Sequence, residues 1–179
     1  MGSLVKAALF LVDVLFSLYI LAVLLRFLFQ LVRADFYNPF SQALVKITNP
    51  TLLPLRRMIP GLYGVDMAAV VLLLILECLK TYLLLLIVGR VPSVLGLLVY
   101  SSIELIKLTI YLFIITIFAR VLLSWFAPYG YQNPMVGLLR SLTEPLLRPA
   151  RRLIPPIAGL DLSPIAVFIV LSLALIILG

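Results

Sequence analysis

Seven charged side chains lie inside otherwise apolar stretches: Asp13, Arg26, Glu77, Lys80, Glu104, Lys107 and Arg120. A charge in hydrocarbon costs several kcal/mol at the bilayer centre, so such groups face protein, water or one another. At ~1.5 Å of rise per residue, Asp13, Glu77, Lys80, Glu104 and Lys107 fall near the mid-depth of their stretches. Glu77/Lys80 and Glu104/Lys107 are each (i, i+3) pairs on one helix face. The spacing predicts a membrane-embedded polar seam where three spans meet. Tyr19, Thr81, Tyr82, Thr109, Tyr111 and Thr116 are candidates to add hydroxyl groups to it. Such a seam can glue helices together, hold or pass a small ion or polar solute, or join two subunits. The residue types fit all three.

A second layer of charge sits at the predicted inner ends of the spans. Arg26 and Arg120 close two of them, and Asp66 and Asp161 open two others. Arg26–Asp66 and Arg120–Asp161 are therefore candidate inner-face ion pairs, one per half of the chain. Enzyme chemistry is poorly provided for. There is no His, which excludes zinc sites and catalysis built on imidazole. The lone Cys78, in an apolar run, reads as a small buried hydrophobe. No Gly-rich phosphate loop, Ser/His/Asp set or Cys/His metal spacing is present. Each span carboxylate except Asp13 has a basic neighbour three residues on, which suits structure better than acid–base work. Neither an enzyme nor a bound metal or cofactor is expected.

The elements that position these residues follow from composition and from a repeat. The chain is 64% hydrophobic, with a mean hydropathy of +1.25. Runs of ~20 apolar residues cross a bilayer, and the chain has room for several. Residues 38–66 and 133–161, aligned at a shift of 95 without a gap, are identical at 13 of 29 positions. The shared loop motif contains Asn38/Asn133, Pro39/Pro134, Pro50/Pro145, Pro54/Pro149, Arg56-Arg57/Arg151-Arg152 and Pro60/Pro155. An internal repeat of this strength implies one unit used twice.

The fold expected is an all-α membrane protein. Four transmembrane helices form two parallel-oriented repeats of span, amphipathic loop and span. The first repeat is 1–90, with spans at about 4–28 and 67–88 and a loop at 29–66. The second is 91–179, with spans at about 94–126 and 161–178 and a loop at 127–160. Asn38-Pro39 starts a short helix to about Thr48, and Pro50 restarts the chain. The segment has an apolar side and a basic end, which favours the membrane interface over a re-entrant loop. The last span carries no charge and is expected to face lipid or a second copy.

The doubled pattern NPxxxxLxxxTxPxLxPxRRxIP, followed by Asp and an apolar span, resembles the YggT family, also called YlmG. The likeness covers the whole chain, with departures at Asn49/Glu144 and Gly61/Pro156. It implies a small, bacterial inner-membrane protein. Members with two units are associated with osmotic-stress tolerance and potassium uptake. Other members are associated with nucleoid distribution, cytochrome maturation or division. The resemblance carries no catalytic residue. Two roles from different classes follow: ion and osmolyte homeostasis through a channel-like oligomer, or a scaffold whose basic loops hold lipid or a protein partner. Expected partners are anionic headgroups, further copies of the chain, and a membrane or cytoplasmic protein. The Arg pairs lack the stacking aromatics of a nucleic-acid surface.

Orientation follows from charge. The two loops carry Arg33, Lys46, Arg56, Arg57, Arg140, Arg148, Arg151 and Arg152, against Lys6 and Arg90 on the other face. Excess basic residues stay in the cytoplasm, so both loops are expected inside and both ends outside. A reporter active only in the periplasm, fused after Gly179, should therefore be active; a silent fusion there, with a cytoplasmic reporter active instead, reverses the topology.

Overall fold

A computed structural model describes residues 2–126, 134–154 and 161–179. Its regular elements are six helices: α1 (Ser3–Leu31), α2 (Pro39–Met58), α3 (Met67–Ile87), α4 (Val94–Phe126), α5 (Pro134–Leu153) and α6 (Ser163–Leu178). Three of them, α1, α3 and α4, are long and apolar enough to cross a membrane. That is the make-up of a multi-pass membrane protein. The apolar α6 has 16 residues, or ~24 Å of helix, against ~30 Å of hydrocarbon.

Two compact units emerge from the packing: Met1–Phe27 with Ala43–Ile106, and Leu28–Gln42 with Lys107–Gly179. Their limits differ from the repeat boundary near residue 90, because α1, α2 and α4 each continue from one unit into the other. In the first unit, Ile20, Val23 and Leu24 of α1, Leu44 and Leu52 of α2, and Ala68, Ala69, Leu72 and Leu73 of α3 are buried. In the second, Ile117 of α4, Leu147 of α5 and Val167 of α6 form one buried cluster.

Chain reversals are set by local hydrogen bonding. After α3, Gly89 takes a left-handed conformation (φ 77°). The Gly89 and Arg90 amides return to the carbonyls of Leu86 and Leu85, a Schellman closure. Between α2 and α3, Leu62 and Val65 exchange backbone hydrogen bonds around Tyr63 and Gly64, both at positive φ. This is the geometry of a type I′ turn.

The connectors differ from expectation in one respect. The chain does not restart at Pro50: α2 and α5 each run 20 residues, with Pro50, Pro54, Pro145 and Pro149 inside them. A proline in a helix removes one N–H and leaves the carbonyl four residues back without its partner. All four prolines lie on the exposed side of their helices. The carbonyls of Lys46, Pro50, Ser141 and Pro145 thus lose their bonds where water or headgroups can replace them. The opposite side carries a buried stripe, Leu44, Thr48 and Leu52 in α2, and Leu138, Leu142, Thr143 and Leu147 in α5. Burial of that stripe holds the helix together through its prolines.

The two helix starts of the motif are tied together inside the second unit. Asn38 caps α2 by accepting from the Phe40 amide at 2.9 Å, and Pro39 follows as the first helical residue. The Asn38 side-chain amide also donates to the Pro134 carbonyl at the start of α5, at 2.8 Å. Asn133 and Pro155 fall outside the described residues. Pro60 is exposed, just beyond α2.

Candidate functional site

Four of the five seam residues come together in the first unit. Asp13 of α1, Glu77 and Lys80 of α3, and Glu104 of α4 line one cavity of about 370 Å³, with Thr81 and Tyr100. The α1, α3 and α4 positions lie near the middle of the α1 and α3 spans and about three turns into α4. The Lys80 ammonium lies 2.7 Å from Glu77 Oε1. That contact is an ion pair rather than a well-aligned hydrogen bond, since Oε1 makes none of good angle. Glu77 itself is 1% exposed. A carboxylate so enclosed persists only beside a compensating charge, which Lys80 supplies. The lining thus brings three acidic residues and one basic residue to one wall.

The fifth seam residue, Lys107, belongs to the second unit, where its ammonium donates to the Gly179 backbone oxygen at 2.6 Å. The hydroxyl contributors also separate. Thr81 lines the cavity, whereas Tyr19 bonds Thr51 of α2 at 2.5 Å and Thr116 donates to the Leu112 carbonyl of its own helix. Tyr82 and Tyr111 are exposed. Tyr100, which periodicity gave no reason to choose, joins the cavity wall through the first turns of α4.

The expected inner-face pairs are re-sorted. Arg26 does not bond Asp66, nor Arg120 Asp161. Asp66 instead receives both Nε and Nη2 of Arg56, at 3.0 and 2.5 Å. Asp161 receives Nε of Arg151 at 2.9 Å. Arg26 donates to Thr48 Oγ1 at 2.6 Å and Arg120 to Thr143 Oγ1 at 2.7 Å. Each Thr passes its own proton to the carbonyl four residues back, Leu44 or Leu139. The reason is reach: Arg56 and Arg151 come off the end of the connector helix, ten residues before the Asp, and between α2 and α3 the Leu62–Val65 turn returns the chain to Arg56. The spacing Thr-x7-Arg-x9-Asp is the same in both repeats. Arg57 and Arg152, the second of each pair, are exposed.

The Asp residues also start the next helices. Asp66 caps α3 by accepting from the Ala69 amide at 3.3 Å. Asp161 accepts from the Ser163 amide at 3.0 Å and stands one residue before Leu162, the N-cap of α6.

One residue distinguishes the second network. Glu144 bridges the two arginines, taking Arg120 Nη2 and Arg151 Nη1 at 3.0 Å each. Burial alone would raise the Glu144 carboxyl, but the Arg120 hydrogen bond and the Arg151 charge hold it below the ordinary carboxylate range. Burial likewise opposes ionisation of Asp161, and the Ser163 and Arg151 contacts outweigh it.

The CCB3/YggT family profile matches residues 5–87 and 99–179, two stretches that correspond to the two repeats. The chain belongs to the CCB3/YggT family. It is 45% identical to an uncharacterized protein of Pseudomonas aeruginosa, over 93% of this chain and 85% of that one. YggT of Escherichia coli K12 is 37% identical over 90% of this chain and 84% of its own. The chloroplastic YlmG homolog protein 2 of Arabidopsis thaliana is 47% identical over 55 residues, 30% of this chain and 20% of that protein. No solved structure matches this CCB3/YggT chain.

The depressed carboxyls set a pH dependence. A group whose folded pKa is lowered stabilises the fold above its unfolded value, and that contribution is lost as pH falls through the folded one. The detergent-solubilised protein should therefore lose melting temperature on acidification below about pH 4. Glu144→Gln should melt lower than wild type at neutral pH and show a shallower acid decline; a Glu144→Gln profile parallel to wild type would contradict the network's role.

Proposed function

We propose that this CCB3/YggT protein crosses the bacterial inner membrane four times, with both proline–arginine connectors cytoplasmic and both ends periplasmic. It contributes to osmotic-stress tolerance and potassium homeostasis as a channel-like homo-oligomer, without catalysing a reaction. The cavity walled by Asp13, Glu77, Lys80 and Glu104 carries this proposal. An intramembrane cavity with an excess of acidic groups is where a cation would rest, and the family's osmotic and potassium association points the same way. A bundle of four spans is thin for a pore, so movement of ions calls for several copies.

A second role draws on a different observation. Arg57, Arg148 and Arg152 are exposed on connectors whose prolines are exposed too. Basic groups on an amphipathic helix attract anionic headgroups, as a scaffold for lipid or for a membrane or cytoplasmic protein partner would.

Potassium flux into liposomes carrying the purified protein separates the two. The channel role predicts flux above empty liposomes, falling to the background leak in Asp13→Asn/Glu77→Gln/Glu104→Gln while the oligomer mass is kept. Flux equal to empty liposomes overturns it. Growth at high osmolarity restored by that triple variant, but not by one lacking Arg57, Arg148 and Arg152, selects the scaffold.

A further inference from the structure

The two repeats share two contacts atom for atom, and they differ most at one position. Nη1 of Arg26 meets Thr48 and Nη1 of Arg120 meets Thr143. Nε of Arg56 meets Asp66 and Nε of Arg151 meets Asp161. In the second repeat Glu144 completes the set by accepting from Arg120 Nη2 and Arg151 Nη1. At the shift of 95, the residue in its place is Asn49. At these positions the second repeat has two guanidinium groups and two carboxylates, and the first has two guanidinium groups, one carboxylate and the neutral Asn49.

The uncompensated charge is not a surface charge. Arg26 is 8% exposed. Its hydrogen bonds go to Thr48 Oγ1 and the Val45 carbonyl, both neutral and both through Nη1. Among the described residues Nη2, the atom that grips Glu144 in the other repeat, makes none. Arg56 and Asp66 both act electrostatically on Arg26, so the three groups share one neighbourhood. A buried cation without a matching anion is costly, and removing one partner from such a network is worse than never building it. The first repeat thus encloses Arg26 without the carboxylate that Arg120 meets in the second.

We propose that the Arg26 site, with Asn49 at the position Glu144 holds in the second repeat and Arg56 beside it, binds a phosphate carried by an anionic molecule, which supplies the acceptor oxygens that Glu144 supplies there. Guanidinium groups grip phosphate oxygens in the same forked geometry as a carboxylate. The Asn49 amide adds donors where Glu144 has none. Arg26 lies five residues before the end of α1, next to an amphipathic helix, and on the topology proposed above this is the headgroup level. The site is single by design, because the second repeat is filled from within.

Full-length protein in a non-ionic detergent, titrated with phosphatidylglycerol or phosphatidylcholine and read by native mass spectrometry, tests this. Wild type should retain one phosphatidylglycerol per chain in preference to phosphatidylcholine. Asn49→Glu, which restores the internal carboxylate, should bind it about tenfold more weakly or less, the scale of one lost charge-assisted hydrogen bond, and should melt no lower than wild type. Glu144→Asn should gain a second bound lipid; if it does not fold, Asn49→Glu decides alone. Inorganic phosphate at millimolar concentration is the competing probe. Displacement of the lipid assigns the site to phosphate from either source, and no displacement assigns it to the headgroup. Wild-type retention of neither probe, equal retention of the two lipids, or undiminished binding by Asn49→Glu overturns the proposal.

Discussion

The contact on which each repeat depends is an arginine at the end of an amphipathic helix closing on the aspartate that starts the next apolar one. Arg56 holds Asp66, and Arg151 holds Asp161. The aspartate is committed twice, to the guanidinium and to an amide of the helix it precedes. It neutralises the basic end of the connector and satisfies part of the open end of the following helix. An exposed ion pair is worth little; Asp66 is nearly fully enclosed, whereas the more open Arg151–Asp161 pair is backed by Glu144, which Arg151 and Arg120 share. An enclosed pair has no inexpensive substitute when one member is lost.

That clamp explains why the connectors tolerate two prolines each. A helix lying with one apolar stripe against protein needs its backbone bonds on the buried side. Thr48 and Thr143 keep that side polar-satisfied by bonding back one turn and accepting a guanidinium from α1 or α4. On the other side the prolines leave carbonyls and basic side chains facing outward. The helix is thus fixed at its end by Arg–Asp and along its length by Leu and Thr, and needs no full ladder of its own.

The sequence was informative where a pattern repeats and poor where partners are chosen. The duplicated motif was readable from the alignment of the two halves, and the four apolar helices from hydropathy; the seam was an expectation from spacing, of which Asp13, Glu77, Lys80 and Glu104 line one cavity and Lys107 does not. The partners of Asp66 and Asp161 were not. Arg26 and Arg56 both stand at a plausible level, and counting residues along straight spans cannot show that the chain folds back through Tyr63 and Gly64 to present Arg56 first. Pro50 misled for a related reason: its local effect is to stop a helix, and only the burial of Leu44, Thr48 and Leu52 on the opposite side outweighs it. Glu144 stood out in the alignment as a departure, yet its bridging role depends on two side chains 24 and 7 residues away.

A charge-reversal cycle on the clamp tests its central place most directly. Arg56→Asp and Asp66→Arg, alone and together, would be compared by melting temperature in detergent. Either single reversal should leave two like charges facing each other and lower the melting temperature sharply, and the double reversal should recover most of the loss. Additive losses in the double variant, or a recovery obtained instead by reversing Arg26 with Asp66, would contradict the Arg56–Asp66 clamp.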